Sequence, residues 1–332
     1  MHCSTARGRF QPTASTSAGS GIPGYARPED DTFLTYAEWY IVWSYQEKAA
    51  WQQVRLPSGF PYFSAIRQYW SGYCCSFGVV RGRYPFNFGD HLMLAVIGTS
   101  FTVEYGIKGA YENTIGRLAE WTGEHEMTEE DRYAASVARD YGVFVEDRPF
   151  YEFRFFSALK GLWKDTRMWG PHILRKSERK LWLSLDYGIE SVYCGLIQLA
   201  SHAVYGVEDD VTYALIENAT RASLSGLPYV RTVKPVGIDS FIVRMPRYQK
   251  FTPAAQQLLL RHARFLEIAG NRQIMVSAIV PREWSFQLAA GELLFSSEVL
   301  TSELSKRVVL RIPVTDLGVV MGTLPVEHIY DY

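Results

Sequence analysis

The chain has 332 residues, of which 47% are apolar, 21% charged and 14% aromatic, and its formal net charge is −1. This composition is typical of a globular protein, and the length allows two domains of ordinary size. A nearly neutral chain has no overall attraction for nucleic acid or for an anionic surface, so we predict no nucleic-acid partner and expect any anion binding to be local.

Residues 1–29 form the first segment. Before Glu29 they contain no acidic residue, and they carry Arg7, Arg9 and Arg27 among many Ser, Gly and Pro residues. So little apolar area cannot offset the entropy of ordering, and we predict a disordered tail, with a cleaved transit segment as the alternative. The segment lacks the apolar stretch of a secretory signal, which indicates an intracellular protein, cytoplasmic or organellar, that is not secreted.

The four cysteines are Cys3, Cys74, Cys75 and Cys194. None forms the Cys-x-x-Cys spacing of a zinc or redox site, and sequence neighbours such as Cys74 and Cys75 rarely bridge to each other. Cysteine usage therefore favours reduced thiols in a reducing compartment.

Residues 30–225 carry aromatic side chains at helical spacing, which predicts an all-helical domain. The helices are expected at about 32–54, 61–77, 90–121, 128–147, 150–163 and 176–205. Two apolar stretches, 91–103 and 191–207, are too short or too interrupted to cross a bilayer, so we predict packed helices there.

The third of these helices carries small residues at steps of three and four, among them Gly106, Gly109 and Gly116. Interior glycine costs about 1 kcal/mol in helix propensity. Close packing against another helix would compensate for that cost. On another face, Glu104, Lys108 and Glu112 lie on successive turns, a pattern typical of a solvated row of charges.

Residues 226–332 alternate β-branched runs with turn signals and one helix that begins at Thr252-Pro253. The order β-α-β-β-α-β predicts a ferredoxin-like α/β sandwich with an insertion around 282–304, and Gly270-Asn271 predicts a hairpin. The fold class expected for the whole chain is therefore α+β.

Four cations open the sixth helix and an indole follows them: Arg175, Lys176, Arg179, Lys180 and Trp182. Cations are disfavoured at a helix N-terminus unless an anion compensates for them. The group therefore predicts an anchor on an anionic membrane surface, and a solvated basic turn is the alternative.

Farther along that helix, Asp186 and Glu190 are like charges one turn apart, and His202 follows in an apolar surround. Two carboxylates and a histidine are suited to acid-base catalysis. The alternative is an ion pair with a cation such as Lys108. No Glu-x-x-His pair of a diiron bundle is present, so we predict no metal, and without a nucleotide or phosphate motif we predict no cofactor.

Two functions follow from these residues. The first is a non-enzymatic binding or adaptor protein. Its helical domain would bind an apolar small molecule, a membrane surface or a protein partner, and its C-terminal domain would have a regulatory or assembly role. The second is a cofactor-independent enzyme that uses Asp186, Glu190 and His202 as acid-base groups.

Overall fold

The structure is a computed structural model that describes residues 2–3, 18–19, 21–204, 211–287 and 291–330, with the backbone alone at 2–3, 29, 31 and 200–204. The chain divides into two compact units. The sheet unit comprises Met1–Glu38, Gln68–Val96 and Asp209–Tyr332, and the helical unit comprises Trp39–Arg67 and Ile97–Glu208.

Eleven α-helices occur in the described part of the chain: α1 Glu29–Leu34, α2 Tyr36–Val54, α3 Tyr62–Val80, α4 Phe88–Tyr111, α5 Arg117–Thr122, α6 Glu129–Phe144, α7 Phe155–Asp165, α8 Ile173–Val204, α9 Arg221–Leu224, α10 Phe251–Leu260 and α11 Leu317–Thr323. A π-helical turn, Glu112–Gly116, joins α4 to α5 without a break. Helix α6 begins with a capping box, in which Thr128 and Asp131 each accept a backbone N–H of the other. The helices predicted from periodicity are therefore present, with ends that differ by a few residues.

The strands within the described residues are β1 His2–Cys3, β2 Val211–Glu217, β3 Arg231–Pro235, β4 Phe241–Pro246, β5 Arg264–Ile268, β6 Gln273–Pro281, β7 Glu292–Val299, β8 Ser302–Pro313 and β9 Val326–Tyr330. They form two antiparallel sheets, with orders β1-β7-β8-β6-β9 and β3-β4-β2-β5. The α+β class, with helices followed by antiparallel sheets, is thereby confirmed.

One hydrophobic core contains buried residues from both sheets and from α10 and α11, among them Ile216, Val243, Leu258, Val276, Leu310 and Leu317. The ferredoxin-like prediction required one sheet, whereas the strands divide between two. Strand β2, which lies before residue 225, pairs with β4 and β5 and was not predicted. The tight turn predicted at Gly270-Asn271 is present, since Ile268 and Asn271 exchange backbone hydrogen bonds of 2.8 and 3.0 Å, but β5 and β6 then diverge into different sheets.

Most of the predicted tail, residues 1–29, lies outside the described residues. Its last part is packed on the sheet unit: Tyr25 is buried and its hydroxyl donates to Glu267 at 2.8 Å. The backbone N–H of Arg27 donates to Ala269 at 2.9 Å. Burial of one aromatic ring and these hydrogen bonds order residues that composition alone predicted to be disordered.

In the helical unit, aromatic rings from α2, α3, α4 and α6 contact one another edge to face, around Tyr45, Tyr62, Tyr105 and Tyr141. Helix α3 approaches α4 closely at Gly109, where a Cβ atom would lie 2.8 Å from Cβ of Tyr62. The prediction of close packing is thus confirmed at Gly109. At Gly106, a Cβ atom would meet open space.

Candidate functional site

Helices α4 and α8 of the helical unit run antiparallel and contact each other through long side chains. Near one end the hydroxyls of Ser100 and Tyr193 are 2.7 Å apart, and near the other Arg179 donates to Glu112 at 2.8 Å. Charged residues on the facing sides of the two helices therefore meet inside the unit.

Lys108 is the centre of the first group of charges. Its Nζ atom lies 2.8 Å from Glu104, 3.2 Å from Asp186 and 3.3 Å from Glu190. The hydroxyl of Tyr45 also donates to Glu104. The predicted pairing of Asp186 and Glu190 with a cation on the helix of Lys108 is confirmed, whereas the prediction that Glu104 and Lys108 form a solvated row was wrong.

Three of these groups have shifted pKa values. Burial, reinforced by the nearby Glu104 carboxylate, raises the pKa of Glu190 to about 7, although Lys108 opposes the shift. Burial also raises the pKa of Glu104, but Lys108 and Lys48 outweigh it, and the net pKa is lowered. For Lys108, attraction to Asp186, Glu104 and Glu190 outweighs burial, so its pKa is raised and it stays protonated.

A narrow cleft of about 50 Å³ opens beside Lys108. Its walls combine charged and aromatic side chains, including Lys48, Tyr62, Glu104, Tyr141, Asp186 and Glu190. Drug-sized ligands need cavities of several hundred Å³. The cleft therefore has room for a few water molecules or a very small ligand, and not for the larger apolar molecule considered from the sequence.

The histidine of the predicted acid-base set, His202, has a side chain that lies outside the described residues. The structure thus brings Asp186 and Glu190 together with Lys108, and it does not describe the third member. Among the described residues, no group of His, Cys, Asp and Glu is arranged to hold a metal ion.

The four cations at the start of α8 are buried, with exposed fractions of 0% for Arg175, 5% for Lys176, 1% for Arg179 and 4% for Lys180. Their partners are carboxylates of the same unit. Asp131 lies 3.3 Å from Arg175 and 2.8 Å from Arg179, and both lysines contact Glu130, at 3.1 Å and 3.8 Å.

This burial corrects both sequence interpretations of the group. A cation with no exposed surface cannot meet lipid headgroups or water, so neither the anchor nor the solvated turn describes these side chains. Trp182 is also engaged, because its ring stacks on Tyr111 with centroids 3.6 Å apart. The carboxylates that neutralise these cations at the N-terminus of α8 include residues of α5, α6 and the π-helical turn.

The same helix presents an unexpected outer surface. All seven charged residues between 173 and 199 are turned inward and at most 18% of any of their side chains is exposed. Seven large apolar side chains of α8 are more than half exposed: Leu174, Leu181, Leu185, Ile189, Val192, Leu196 and Leu199. As far as Leu199, the predicted packed helix at 191–207 is therefore packed on one side only, and residues 205–207 lie outside the described residues.

In the helical unit, α4 carries two more such side chains, Val103 and Ile107; others follow on the π-helical turn, at Ile115, and on α5, at Leu118 and Trp121. Successive residues of an α-helix are rotated by about 100°. On α4 and on α8, the exposed apolar residues are therefore rotated by roughly a quarter turn from the side on which the two helices touch each other. Because the helices are antiparallel, both rows open to the same side. We call the seven side chains of α8, together with Val103 and Ile107, the apolar face.

This face was not predicted from the sequence. A signal for it was present, since α8 has no charged residue from 191 to 199 while large apolar residues recur at 185, 189, 192, 196 and 199, in steps of three and four. Comparison of the chain with protein-family models, curated proteins and solved structures found no match. In the described part of the chain, no helix has the length and apolarity that a membrane span requires.

Proposed function

We propose that this protein is a non-enzymatic binding protein whose helical unit associates with a second copy of the chain through the apolar face. The observation that carries the proposal is the absence of any exposed charge on α8 between residues 173 and 199, beside seven large apolar side chains that are more than half exposed. Contiguous apolar surface of this kind typically marks an interaction site.

The size of the apolar face suits a dimer. Burial of about 80 Å² for each of the nine side chains, the area that corresponds to about 2 kcal/mol at 25 cal/mol per Å², gives roughly 700 Å² on each copy. A standard protein interface buries about 800 Å² per partner. A two-fold dimer would therefore cover the face with an interface of ordinary size.

The spacing on α8 supports pairing with an identical helix. Leu185, Val192 and Leu199 recur every seven residues, the repeat by which two helices interdigitate. Gly188 and Gly195 lie between them, and a Cβ atom at either glycine would meet open space. Large side chains of one copy thus have small residues of the other to pack against.

The oligomeric state of the full chain tests this proposal. We expect sedimentation equilibrium to give a dimer, and Leu185→Glu with Val192→Glu to give a folded monomer, because two buried charges at the interface are costly. The matched control is Leu260→Glu, since Leu260 is 73% exposed on a helix of the sheet unit; it should leave the dimer intact.

Two results would contradict the proposal. One is a monomeric wild-type chain at micromolar concentration. The other is flotation with vesicles of neutral lipid that the Leu185 and Val192 substitutions abolish, which would assign the face to a membrane surface. A regulatory or assembly role of the C-terminal segment, an intracellular localisation and the absence of a nucleic-acid partner stay predictions.

The enzyme alternative has one supporting observation. Glu190 lines the cleft and has a pKa of about 7, which suits a group that gives and takes protons near neutrality. Against it, Lys108 lies within 3.3 Å of both Asp186 and Glu190, so the two carboxylates already have a cationic partner. We therefore place the cofactor-independent enzyme second.

A further inference from the structure

Lys48 on α2 differs from the other buried cations of the helical unit. Arg175, Lys176, Arg179 and Lys108 each lie within 3.3 Å of at least one carboxylate oxygen. Lys48 is only 9% exposed, yet among the described residues its amine has no hydrogen-bond or ion-pair partner. Its amine thus has no carboxylate partner in the described part of the helical unit and is free to meet a molecule in the cleft that Lys48 lines.

The surroundings of Lys48 place the amine at the cleft. Its Nζ atom lies 5.5 Å from the ring centroid of Tyr45 and 5.6 Å from that of Tyr105. Lys48 lines the cleft wall. The charged groups that act on it are Lys108 and Glu104 from α4 and Asp186 and Glu190 from α8.

These surroundings also set the protonation of the amine. Burial and the like charge of Lys108 lower the pKa of Lys48 to about 8, although the three carboxylates oppose the shift. At pH 7 such an amine is about 10% neutral, whereas an unperturbed lysine with a pKa of about 10.4 is less than about 0.1% neutral. Only the neutral amine is a nucleophile.

The cleft limits what can reach Lys48. Its volume of about 50 Å³ admits a molecule of only a few heavy atoms. Four carboxylates line the same cleft and outnumber the two cations other than Lys48, namely Lys108 and Arg179, so the lining does not favour an anion. A small, uncharged electrophile is therefore the class of compound that suits the site.

We propose that the Lys48 amine forms a reversible imine with a small neutral aldehyde. The nitrogen lone pair attacks the carbonyl carbon, the new C–N bond forms, and the carbonyl oxygen takes up a proton. The carbinolamine then loses its hydroxyl group with one further proton as water, and the nitrogen gives up its two protons, so that no oxidant or reductant is consumed. Glu190, on the same cleft, is the group that accepts and returns these protons.

Reductive trapping tests the proposal on the full chain. The protein is exposed briefly to dilute acetaldehyde with sodium cyanoborohydride at pH 7, and ethylated lysines are quantified by peptide mass spectrometry. We expect Lys48 to react at least tenfold faster than Lys164, which is exposed, and Lys180, which is buried and donates to Thr166 at 3.0 Å. Its rate should level off above pH about 8 as the amine becomes fully neutral.

Two controls keep the result interpretable. Lys48→Met removes an unpaired buried amine, so the variant should fold, and its adduct should disappear while labelling of Lys164 is unchanged. Labelling of Lys48 no faster than Lys164, or a Lys48 rate that still rises above pH 9, would overturn the proposal. Neither outcome depends on the apolar face, so this test and the dimer test fail independently.

Discussion

Asp131 forms a buried ion pair with Arg179, whose Nε lies 2.8 Å from the carboxylate, and the two side chains are 0% and 1% exposed. The same carboxylate lies 3.3 Å from Arg175 and closes the capping box of α6 with Thr128. One residue therefore stabilises the start of a helix and neutralises two buried guanidinium groups.

Asp131→Asn should destabilise the helical unit strongly. Removal of one partner from a buried ion pair typically costs about 3–5 kcal/mol, because the remaining charge stays buried. Thr128→Ala is the matched control, since it removes the cap alone, at about 1 kcal/mol. Urea unfolding followed by circular dichroism measures both. Equal losses for the two variants would show that Asp131 acts only as a cap residue.

Glu190→Gln should change how stability depends on pH. The folded-state pKa of Glu190, about 7, lies above its ordinary value of 4.5, so its contribution is fully present below pH 4.5 and is lost as the pH rises through 7. Glutamine cannot ionise. Relative to wild type, the variant should gain about 2 kcal/mol in free energy of unfolding between pH 5 and pH 8.

Urea titrations at four pH values across this range measure that gain. The loss of the contact with Lys108 adds a constant offset, which the pH series separates from the titration. Glu152→Gln, at an exposed side chain, is the control and should follow wild type at every pH. A Glu190→Gln curve parallel to wild type would contradict the expectation.

Two glycines of α4 should respond to alanine with opposite signs. At Gly109 the added Cβ atom would lie 2.8 Å from Cβ of Tyr62, so we expect a loss of about 1–3 kcal/mol from overpacking. At Gly106 it would meet open space, so the higher helix propensity of alanine should stabilise by up to about 1 kcal/mol. Thermal unfolding distinguishes the two, and a stabilised Gly109→Ala variant would refute the close approach of α3.

Local sequence patterns predicted what depends on local chemistry. Periodicity predicted the helices, and Thr128 predicted the start of α6. The repulsion between Asp186 and Glu190 indicated that a cation lies between them. Patterns failed where the partner is distant in sequence. Arg179 pairs with Glu112, 67 residues away, and Arg175 with Asp131, 44 residues away. Without these partners, a charge on a helix is expected to face water.

The sheets show the same limit. Strand β2 has the sequence Val-Thr-Tyr-Ala-Leu-Ile-Glu and lies between the predicted end of the sixth helix, near residue 205, and the predicted domain boundary at 225. No strand was predicted there, because a short apolar run fits either structure. The Gly270-Asn271 turn was recognised, but a turn does not specify whether the strands beside it pair. Pairing was decided by the partners of β5 and β6, namely β2 on one side and β8 and β9 on the other.

The π-helical turn between α4 and α5 sets the relative direction of two carboxylates, one on either side of it. Glu112 and Glu120 are eight residues apart, a spacing that would rotate them by about 80° on an uninterrupted α-helix. The wider turn takes up one residue, so both carboxylates point toward α8, where Glu112 lies 2.8 Å from Arg179 and Glu120 lies 3.7 Å from Arg175. Deletion of a single residue from 113–116 would restore a regular α-helix with the two carboxylates about seven residues apart, a rotation of only about 20°, so both would still point toward α8. Insertion of a second residue would instead rotate Glu120 by about 100° and leave a buried guanidinium short of a partner. This stretch therefore tolerates the loss of a residue more readily than the gain of one.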